Sequence, residues 1–459
     1  MQTYDHVILG SGQATGTLLG RLLPTGDAIA VIEESKVGGS CVNYGCTPTK
    51  TLVASARAVH QARRGGFYGF HAGDVQVDYE QVRARMNAVR NASREGLAGW
   101  MEEADNVDLI RARGVFTGPR TLQVGGRQIA GRRIYINVGA RTRVPDIEGL
   151  EGVPWMNSAG LLNESAFPEE LLIVGGGYIG AEYAQVFRRF GARVTIVQLV
   201  EQLMPKEDED VAAAIEKFLA EEGIRILCGT KAKSVTQQNG RIHLTVDRKG
   251  KEEVITGSHL LIAAGRVPNS DGLQLEAAGI ATDERGYIQV DDHCRTNVEN
   301  VYAVGDVNGR GAFTHTSVND AEIVLDHLFG GERTLSMRIP IYALFTDPPL
   351  GRVGMSEKQA LATGKNVLKA VKPMTEISRA KEMGETTGFA KLLVDGDTDL
   401  ILGAAVLGPG GDEIINMFAA IMHSGIECHN YRKVVLVHPT ISELMPFMLD
   451  GIEQAGRED

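Results

Sequence analysis

Only five of the 459 residues are cysteine, and three of them, Cys228, Cys294 and Cys428, stand alone. That is too few and too scattered for a disulfide-stapled fold, which leaves the close pair Cys41 and Cys46 as the one cysteine feature that invites chemistry. No apolar run approaches the ~18 residues that a membrane helix needs. Asp5 and Gly10 fall where a secretory leader would carry its apolar core, so a cytoplasmic protein with no membrane partner is expected. There is no long basic run, and 47 basic against 58 acidic residues leave a net charge of −11. Nonspecific nucleic-acid binding has no electrostatic support in that balance. Proline is scarce, 15 residues against 55 glycines, which favours tight turns and close backbone approaches where strands, helices and phosphates crowd together. With 43% hydrophobic, 23% charged and 6% aromatic residues, disorder, collagen and coiled coil are poor fits. At roughly 100–200 residues per domain the chain should form about three domains.

What is present begins with a short apolar strand, His6 to Leu9, that runs into Gly10-Ser-Gly12-Gln-Ala-Thr-Gly16 and then an apolar helix pattern through Leu23. A second copy follows at Leu171 to Glu182, where Gly175, Gly177 and Gly180 carry the turn ahead of a strand from Arg193 to Val197. Glycines in a strand-to-helix turn let backbone amides approach a pyrophosphate seated on the positive end of the helix. One such turn is weak evidence, whereas two in tandem indicate two dinucleotide-binding units. In the first copy Thr15 stands where the third glycine belongs and Gly16 comes one place late, so helix and strand are expected to pack less closely there. Each unit should also carry a ribose-binding residue some 20 positions on. Glu33, closing the strand from Ile29, is 21 residues beyond Gly12, and the same offset from Gly177 reaches the uncharged Gln198. An adenosine ribose with a free 2′-hydroxyl fits the first unit, while NADH and NADPH are poorly discriminated in the second. Leu260 to Asn269 closes the second unit through Gly265 and Arg266. Asn300 to Asp306 reads as another strand, ending on Gly305 and an acid that holds a cofactor's sugar chain or caps a turn. From about Ile339 the texture changes to β-prone segments, Phe389 to Val394 and Ile401 to Leu407, then a helical stretch from Asp412.

The stretch Cys41-Val-Asn-Tyr-Gly-Cys46-Thr-Pro48-Thr-Lys50 is the most informative. Residues five apart on an ideal helix have Cα atoms ~8.7 Å apart, but a disulfide needs roughly 4.4–6.8 Å. The pair therefore closes only if the first turn is distorted, and Gly45 supplies the freedom while Pro48 suits the first turn of a helix starting near Cys46. That start, with Lys50 one turn on, favours a thiolate at Cys46. A redox dithiol is the leading reading, with a structural pair or a metal site as the alternatives; Asn43 and Tyr44 offer little to a metal.

Gly38 to Lys50 resembles the redox motif of the flavoprotein pyridine nucleotide-disulfide oxidoreductases, the family of glutathione reductase, dihydrolipoamide dehydrogenase and mercuric reductase, with Thr47 and Thr49 where Ile and Ser are commoner. Gly175 to Glu182 resembles the family's NAD(P) motif, Gly265 to Asn269 the end of that domain, Thr296 to Asp306 its second FAD motif, and Val437 to Glu443 its C-terminal acid-base motif. The resemblance covers nearly the whole chain. It implies an α/β fold of two tandem Rossmann-like domains, residues 1–150 with 270–338 for FAD and 151–269 for NAD(P), plus an α+β dimerisation domain over 339–459. It implies FAD and NADH or NADPH as cofactors, with no metal site, and a homodimer as the working form. Cys46 becomes the thiol facing the flavin and Cys41 the thiol that exchanges with substrate, expected as an exposed, low-pKa nucleophile. Lys50 pairs with Glu182 near the flavin, Asp306 holds the ribityl or pyrophosphate region, and Tyr178 covers the nicotinamide pocket. His438, before a cis proline, serves the partner subunit's dithiol while Glu443 orients it. Gly39, Ser40 and Gly139 complete the implied cofactor contacts. Taken without the resemblance His438 is an ordinary histidine, but a dithiol enzyme needs a group titrating near neutrality.

The acceptor implied is a small oxidant such as hypothiocyanous acid, a reactive chlorine species or a metal ion. Thr47 to Leu52 and Ser158 to Leu162 resemble the mercuric reductase-like branch that includes the reactive-chlorine-resistance flavoproteins. The sequence ends Gly456-Arg-Glu-Asp459 with no cysteine after Cys428, and begins without a metal-binding extension, so inefficient Hg(II) reduction is expected. Dihydrolipoamide dehydrogenase and true mercuric reductase are the alternatives. A flavin-bearing redox sensor or complex subunit is the non-enzyme alternative, opposed by the set Cys41, Cys46, Lys50, His438 and Glu443.

Overall fold

The structure is a computed structural model and describes residues 1–456; the last three residues of the expected interface domain, and of the stretch ending at Asp459, lie outside the described residues. The first unit is built on strand Gln2–Leu9, which lies parallel between Ile29–Glu33 and Arg127–Ile136. Val107–Arg111 extends the sheet beyond Ile29–Glu33. Val301–Ala303 returns some 165 residues later to pair in parallel with Arg127–Ile136, so the unit is interrupted by the one inserted between. Strand Ile29–Glu33 is buried along its whole length, as a parallel strand covered by helices on both faces must be.

The inserted unit repeats the design. Glu170–Val174 lies between Arg193–Val197 and His259–Ile262, all parallel, with Arg225–Leu227 and Trp155–Met156 at the edges. A three-stranded antiparallel sheet, Thr230–Gln238, Arg241–Arg248 and Lys251–Gly257, packs against it. The third unit is a six-stranded sheet whose central strands Phe389–Asp395 and Ile401–Leu407 are almost entirely buried, backed by helix Gly411–Ser424.

Both glycine turns sit at the carboxyl ends of the central strands, where ligands of open α/β sheets bind. Gly10 and Gly175 have φ of +97° and +116°, and a methyl group on either would strike a backbone carbonyl, that of Asn137 or Ala263. In the second turn Gly180 lets the helix approach until its Cα faces the Gly175 carbonyl, and no side chain fits there. The first turn solves the same contact differently. Thr15 is fully buried, and its hydroxyl donates to the Gly10 carbonyl at 3.0 Å while accepting from Asn137 Nδ2 at 3.0 Å. The looser packing expected at Thr15 is therefore corrected: a hydrogen bond takes the place of the close glycine approach. Gly16 has open space around it and plays no part in the turn.

On the central strand of the first sheet, His6 is 2% exposed, with Nδ1 2.9 Å from the Tyr135 hydroxyl and Nε2 3.0 Å from Asp27. Burial holds its imidazole below the usual histidine range, and burial does the same at His60, His259, His315 and His327. For a histidine depressed in the fold, the unfolded chain binds more protons below its own pKa near ~6.5, so stability rises with pH through that range. We expect the urea midpoint to be highest above pH 7 and to fall between pH 7 and 5. His6→Gln should flatten that slope, as read from urea melts at a series of pH values.

Candidate active site

Gly45 divides the cysteine motif into two helices, Gly39–Tyr44 and Cys46–Arg63. A methyl group at Gly45 would lie 3.0 Å from the Ser40 carbonyl oxygen and 3.3 Å from Cys41 Cα, so a larger residue there would push the two helices apart by a few tenths of an ångström. Both cysteines are free thiols in this structure, Cys41 half-buried and Cys46 exposed. Cys46 is the first residue of the longer helix, at its positive end, and Pro48 occupies that first turn without losing a helical hydrogen bond.

The environment divides the pair. Cys46 is pulled down to about 6, first by hydrogen bonding from the Cys41 thiol and then by the Thr314 hydroxyl and the Lys50 charge, against the cost of burial. Its sulfur lies 3.2 Å from Thr314 Oγ1. Cys41 is pushed far up, because its proton is the one shared with the Cys46 thiolate and because it is buried. The expectation of a low-pKa Cys41 is thereby corrected: the stabilised thiolate is Cys46, and Cys41 needs a base to become a nucleophile.

Lys50 Nζ donates to both oxygens of Glu182, at 3.0 and 2.8 Å. Glu182 is buried, and its Oε1 also accepts from the Phe345 backbone N–H at 2.9 Å; the Phe345 ring lies 4.4 Å from the ammonium. Thr49 Oγ1 is 3.2 Å from the hydroxyl of Tyr183, on the same helix as Glu182. His438 is placed elsewhere. It is 77% exposed, its Nδ1 is 3.0 Å from both oxygens of Glu443, and its bond to Pro439 is cis. Among the described residues no hydrogen bond joins it to either cysteine of its own subunit. Val435 and Val437 beside it are 95% and 76% exposed, an apolar surface of the kind that a second subunit covers.

The residues around the first glycine turn fit FAD. Gly39, with φ +62°, packs so closely on Gly12 that a methyl group would lie 2.8 Å from its Cα. Ser40 follows it, exposed on the same short helix. Glu33 accepts from Ser11 N–H at 2.9 Å and Ser11 Oγ at 2.6 Å through one oxygen and from Ser35 N–H at 2.8 Å through the other, which leaves an acceptor position for a ribose hydroxyl. Gly305, φ +74°, brings in Asp306, whose carboxyl burial pushes up against the pull of Arg266, 3.2 Å away. Arg266 is held there by a two-stranded ribbon, Arg266–Pro268 against Ala140–Thr142, beginning at Gly139 and Gly265, both at positive φ. In the second unit Gln198 takes the place of Glu33 in detail: its Oε1 accepts from Gly176 N–H at 2.9 Å, and its Nε2 donates to the Gln202 carbonyl at 3.2 Å. The side chain therefore braces the turn. Tyr178, first residue of the following helix, donates its hydroxyl to Glu207 at 3.0 Å. Among the described residues no group of three or more His, Cys, Asp or Glu side chains gathers into a metal site, and no helix is long and apolar enough to cross a membrane.

A site of this construction, a cysteine pair at a helix start between two dinucleotide turns, defines a class of two-electron disulfide reductase. Residues 4–321 match the model for pyridine nucleotide-disulphide oxidoreductases and residues 341–448 that for the dimerisation domain of the same proteins. The chain belongs to this family, whose members are enzymes that depend on FAD and a pyridine nucleotide. It is 36% identical to the probable pyridine nucleotide-disulfide oxidoreductase RclA of Escherichia coli, over 96% of this chain and 98% of that one. It is 31% identical to a mercuric reductase of Lysinibacillus sphaericus, over 96% and 81%, and 31% identical to a dihydrolipoyl dehydrogenase of Thermus scotoductus, over 96% of each. A solved Cu(II) complex of the HOCl-induced flavoprotein disulfide reductase RclA superposes with a TM-score of 0.88 at 35% identity, covering 97% of this chain and 98% of that one.

Thr314, Phe345 and Asn137 carry no motif, and each reaches the site from more than 80 residues away in sequence; spacing could not find them. A hydrogen bond to a charged group is worth about 1.5–3 kcal/mol, so Thr314→Val should raise the Cys46 pKa by about one pH unit or more. The pH dependence of alkylation of the reduced protein reads this directly.

Proposed function

We propose that this protein is an FAD-dependent reductase that takes electrons from NADH and passes them through Cys41 and Cys46 to a small oxidant of the hypothiocyanous acid or reactive chlorine type. It works as a homodimer of subunits divided into residues 1–150 with 270–338, 151–269 and 339–459. The observation that carries this reading is the cysteine pair itself, with Cys46 opening its helix, its sulfur 3.2 Å from Thr314 Oγ1, and Lys50 one turn on. The chemistry that FAD supplies when bound is two-electron transfer between nicotinamide and disulfide. Its contacts fall to Gly10, Gly12, Glu33, Gly39, Ser40, Gly139, Arg266, Gly305 and Asp306, with Lys50 beside the ring. Gly175, Gly177, Gly180, Gln198 and Gly265 shape the nicotinamide nucleotide site, and Tyr178 covers the pocket.

In the reduced pair Cys46 holds the negative charge beside Thr314 and Lys50, and Cys41 is a thiol. Attack by Cys41 on hypothiocyanous acid forms a sulfur–sulfur bond to the thiocyanate group. The Cys41 proton passes to His438 of the partner subunit, which returns it to the departing hydroxide as water. The Cys46 thiolate then displaces thiocyanate and closes the disulfide, so that one thiol, one thiolate and one oxidant give disulfide, thiocyanate and water. Glu443 holds the imidazole in the orientation this requires. The Escherichia coli relative is described as HOCl-induced, which accords with an oxidant as substrate. A metal ion as acceptor is the second reading, favoured by the Cu(II) complex of that same relative.

Three measurements test this. With FAD-loaded homodimer, NADH oxidation should run faster with hypothiocyanous acid than with Hg(II), Cu(II), lipoamide or glutathione disulfide; sustained turnover with a metal ion matching the best oxidant would overturn the oxidant reading. Mixing inactive Cys41→Ser subunits with inactive His438→Ala subunits should recover part of the activity through heterodimers with one intact site, and no recovery after verified exchange would place His438 outside trans catalysis. Gln198 is committed to the turn, and the exposed residues after it, Leu199, Val200 and Glu201, include no cation. A 2′-phosphate prefers a guanidinium fork, so NADH should serve at least as well as NADPH. An NADPH preference above about a hundredfold, or ~2.7 kcal/mol, would contradict this.

A further inference from the structure

Glu207 belongs to none of the motifs that lead to the site, yet its side chain is fully buried where the three units meet. Its backbone is fixed: its N–H donates to the Met204 carbonyl at 2.8 Å, and its own carbonyl accepts from Gln202 Nε2 at 3.2 Å. One carboxylate oxygen takes both available donors. Oε1 accepts from the Tyr178 hydroxyl at 3.0 Å and from the Tyr342 hydroxyl at 2.7 Å. Oε2 is buried and accepts no hydrogen bond. The nearest cation to it is Arg352, whose Nη1 is 3.6 Å away and whose two Nη atoms are each 3.0 Å from Asp208 Oδ2.

The two tyrosines come from different units. Tyr178 opens the helix of the second glycine turn, and Tyr342 lies on strand Ile341–Leu344, directly across from Arg352. Phe313, next to Thr314, stacks on Tyr342 at 5.4 Å and 7° and meets Tyr178 edge-on at 6.0 Å. A buried acceptor without a donor costs about 1–3 kcal/mol, more when charged. For a fixed framework, two phenols crowded on one oxygen beside an empty one is a poor arrangement. For a carboxylate that loses one donor and keeps another, with a guanidinium just out of reach of the empty oxygen, it is a workable one.

We propose that Glu207 is a positioning residue that latches the Tyr178 ring closed over the nicotinamide pocket and, when a bound nicotinamide displaces that ring, retains Tyr342 and turns its free oxygen toward Arg352. The inference rests on the reading of Tyr178 given under Proposed function. Opening the pocket then means breaking one charge-assisted hydrogen bond, and the Arg352 contact offsets part of that loss. Anything that weakens the latch makes nucleotide binding tighter without touching the chemistry at the cysteines.

The test is calorimetric titration of the oxidised, FAD-loaded homodimer with NAD+, which binds there without reducing it. Tyr178→Phe should bind NAD+ at least threefold more tightly than the parent, Glu207→Gln should do the same, and the double variant should gain no more than the stronger single one. For Glu207→Gln at saturating NADH, kcat should stay within twofold while KM falls, a split that general loosening of the fold would not give. If Tyr178→Phe tightens binding while Glu207→Gln leaves it unchanged or weakens it, the latch is refuted and the placement of Tyr178 stands. If neither moves, both the latch and that placement fail; additive gains also refute the latch. Should Glu207→Gln not fold, Tyr342→Phe decides, because it leaves Tyr178 as the sole donor to Oε1: twofold or greater weakening of NAD+ binding supports the latch, and equal or tighter binding overturns it.

Discussion

The pairing of Lys50 with Glu182 joins all three units at the point where the chemistry is placed. Lys50 rides on the helix that begins at Cys46, Glu182 on the helix of the second glycine turn, and the Phe345 backbone N–H from the third unit completes the carboxylate. Glu182 is buried, so removing its partner leaves a charge with one remaining donor; for a fully buried pair that costs about 3–5 kcal/mol. Lys50 is a third exposed, and solvent screening places the cost here below that range. The interaction sets the rotation of the cysteine helix against the nucleotide helix. The adjacent Thr49 and Tyr183, joined at 3.2 Å, and Leu52 and Ala56 packed into the same core, hold that rotation.

Once that helix is fixed, the asymmetry of the cysteines follows. Both sulfurs are near the same helix end and both feel the Thr314 hydroxyl, but Cys46 accepts from the Cys41 thiol and has the Lys50 charge on its side. The negative charge settles on Cys46, and Cys41 keeps the proton. A thiol that keeps its proton depends on a base, and among the described residues the exposed His438, with its half-buried carboxylate partner, makes no hydrogen bond to the pair of its own subunit.

Much of the arrangement was legible in the chain. The two glycine turns, the strand Arg193–Val197, the strand Ile401–Leu407 and the helix start at Cys46 lie where periodicity, glycine spacing and Pro48 put them. Local signals were enough there, because a turn needing positive φ admits little but glycine and a proline needs a helix's first turn. Thr15 was misread for the same reason. A missing glycine looks like looser packing until the Thr15 hydroxyl is seen to donate to the Gly10 carbonyl and accept from Asn137, 122 residues away.

The charge states of the cysteines were beyond local reading, and the low-pKa thiol was expected at Cys41 as well as Cys46. One group that favours the charge at Cys46 is Thr314, 268 residues on, whose hydroxyl lies 3.2 Å from its sulfur and which no spacing links to it. Gln198 shows the same boundary: its position was legible, but its commitment to the Gly176 amide depends on the packing of strand and turn. By itself the sequence determined the two dinucleotide turns, the dithiol, the helix that starts between its cysteines and the family to which these belong, since each is set by residues within a few positions of one another. Only the tertiary structure decided which sulfur carries the charge, what Glu182 holds besides Lys50 and where Glu207 lies, because those are contacts between segments that the fold brings together and no local pattern encodes.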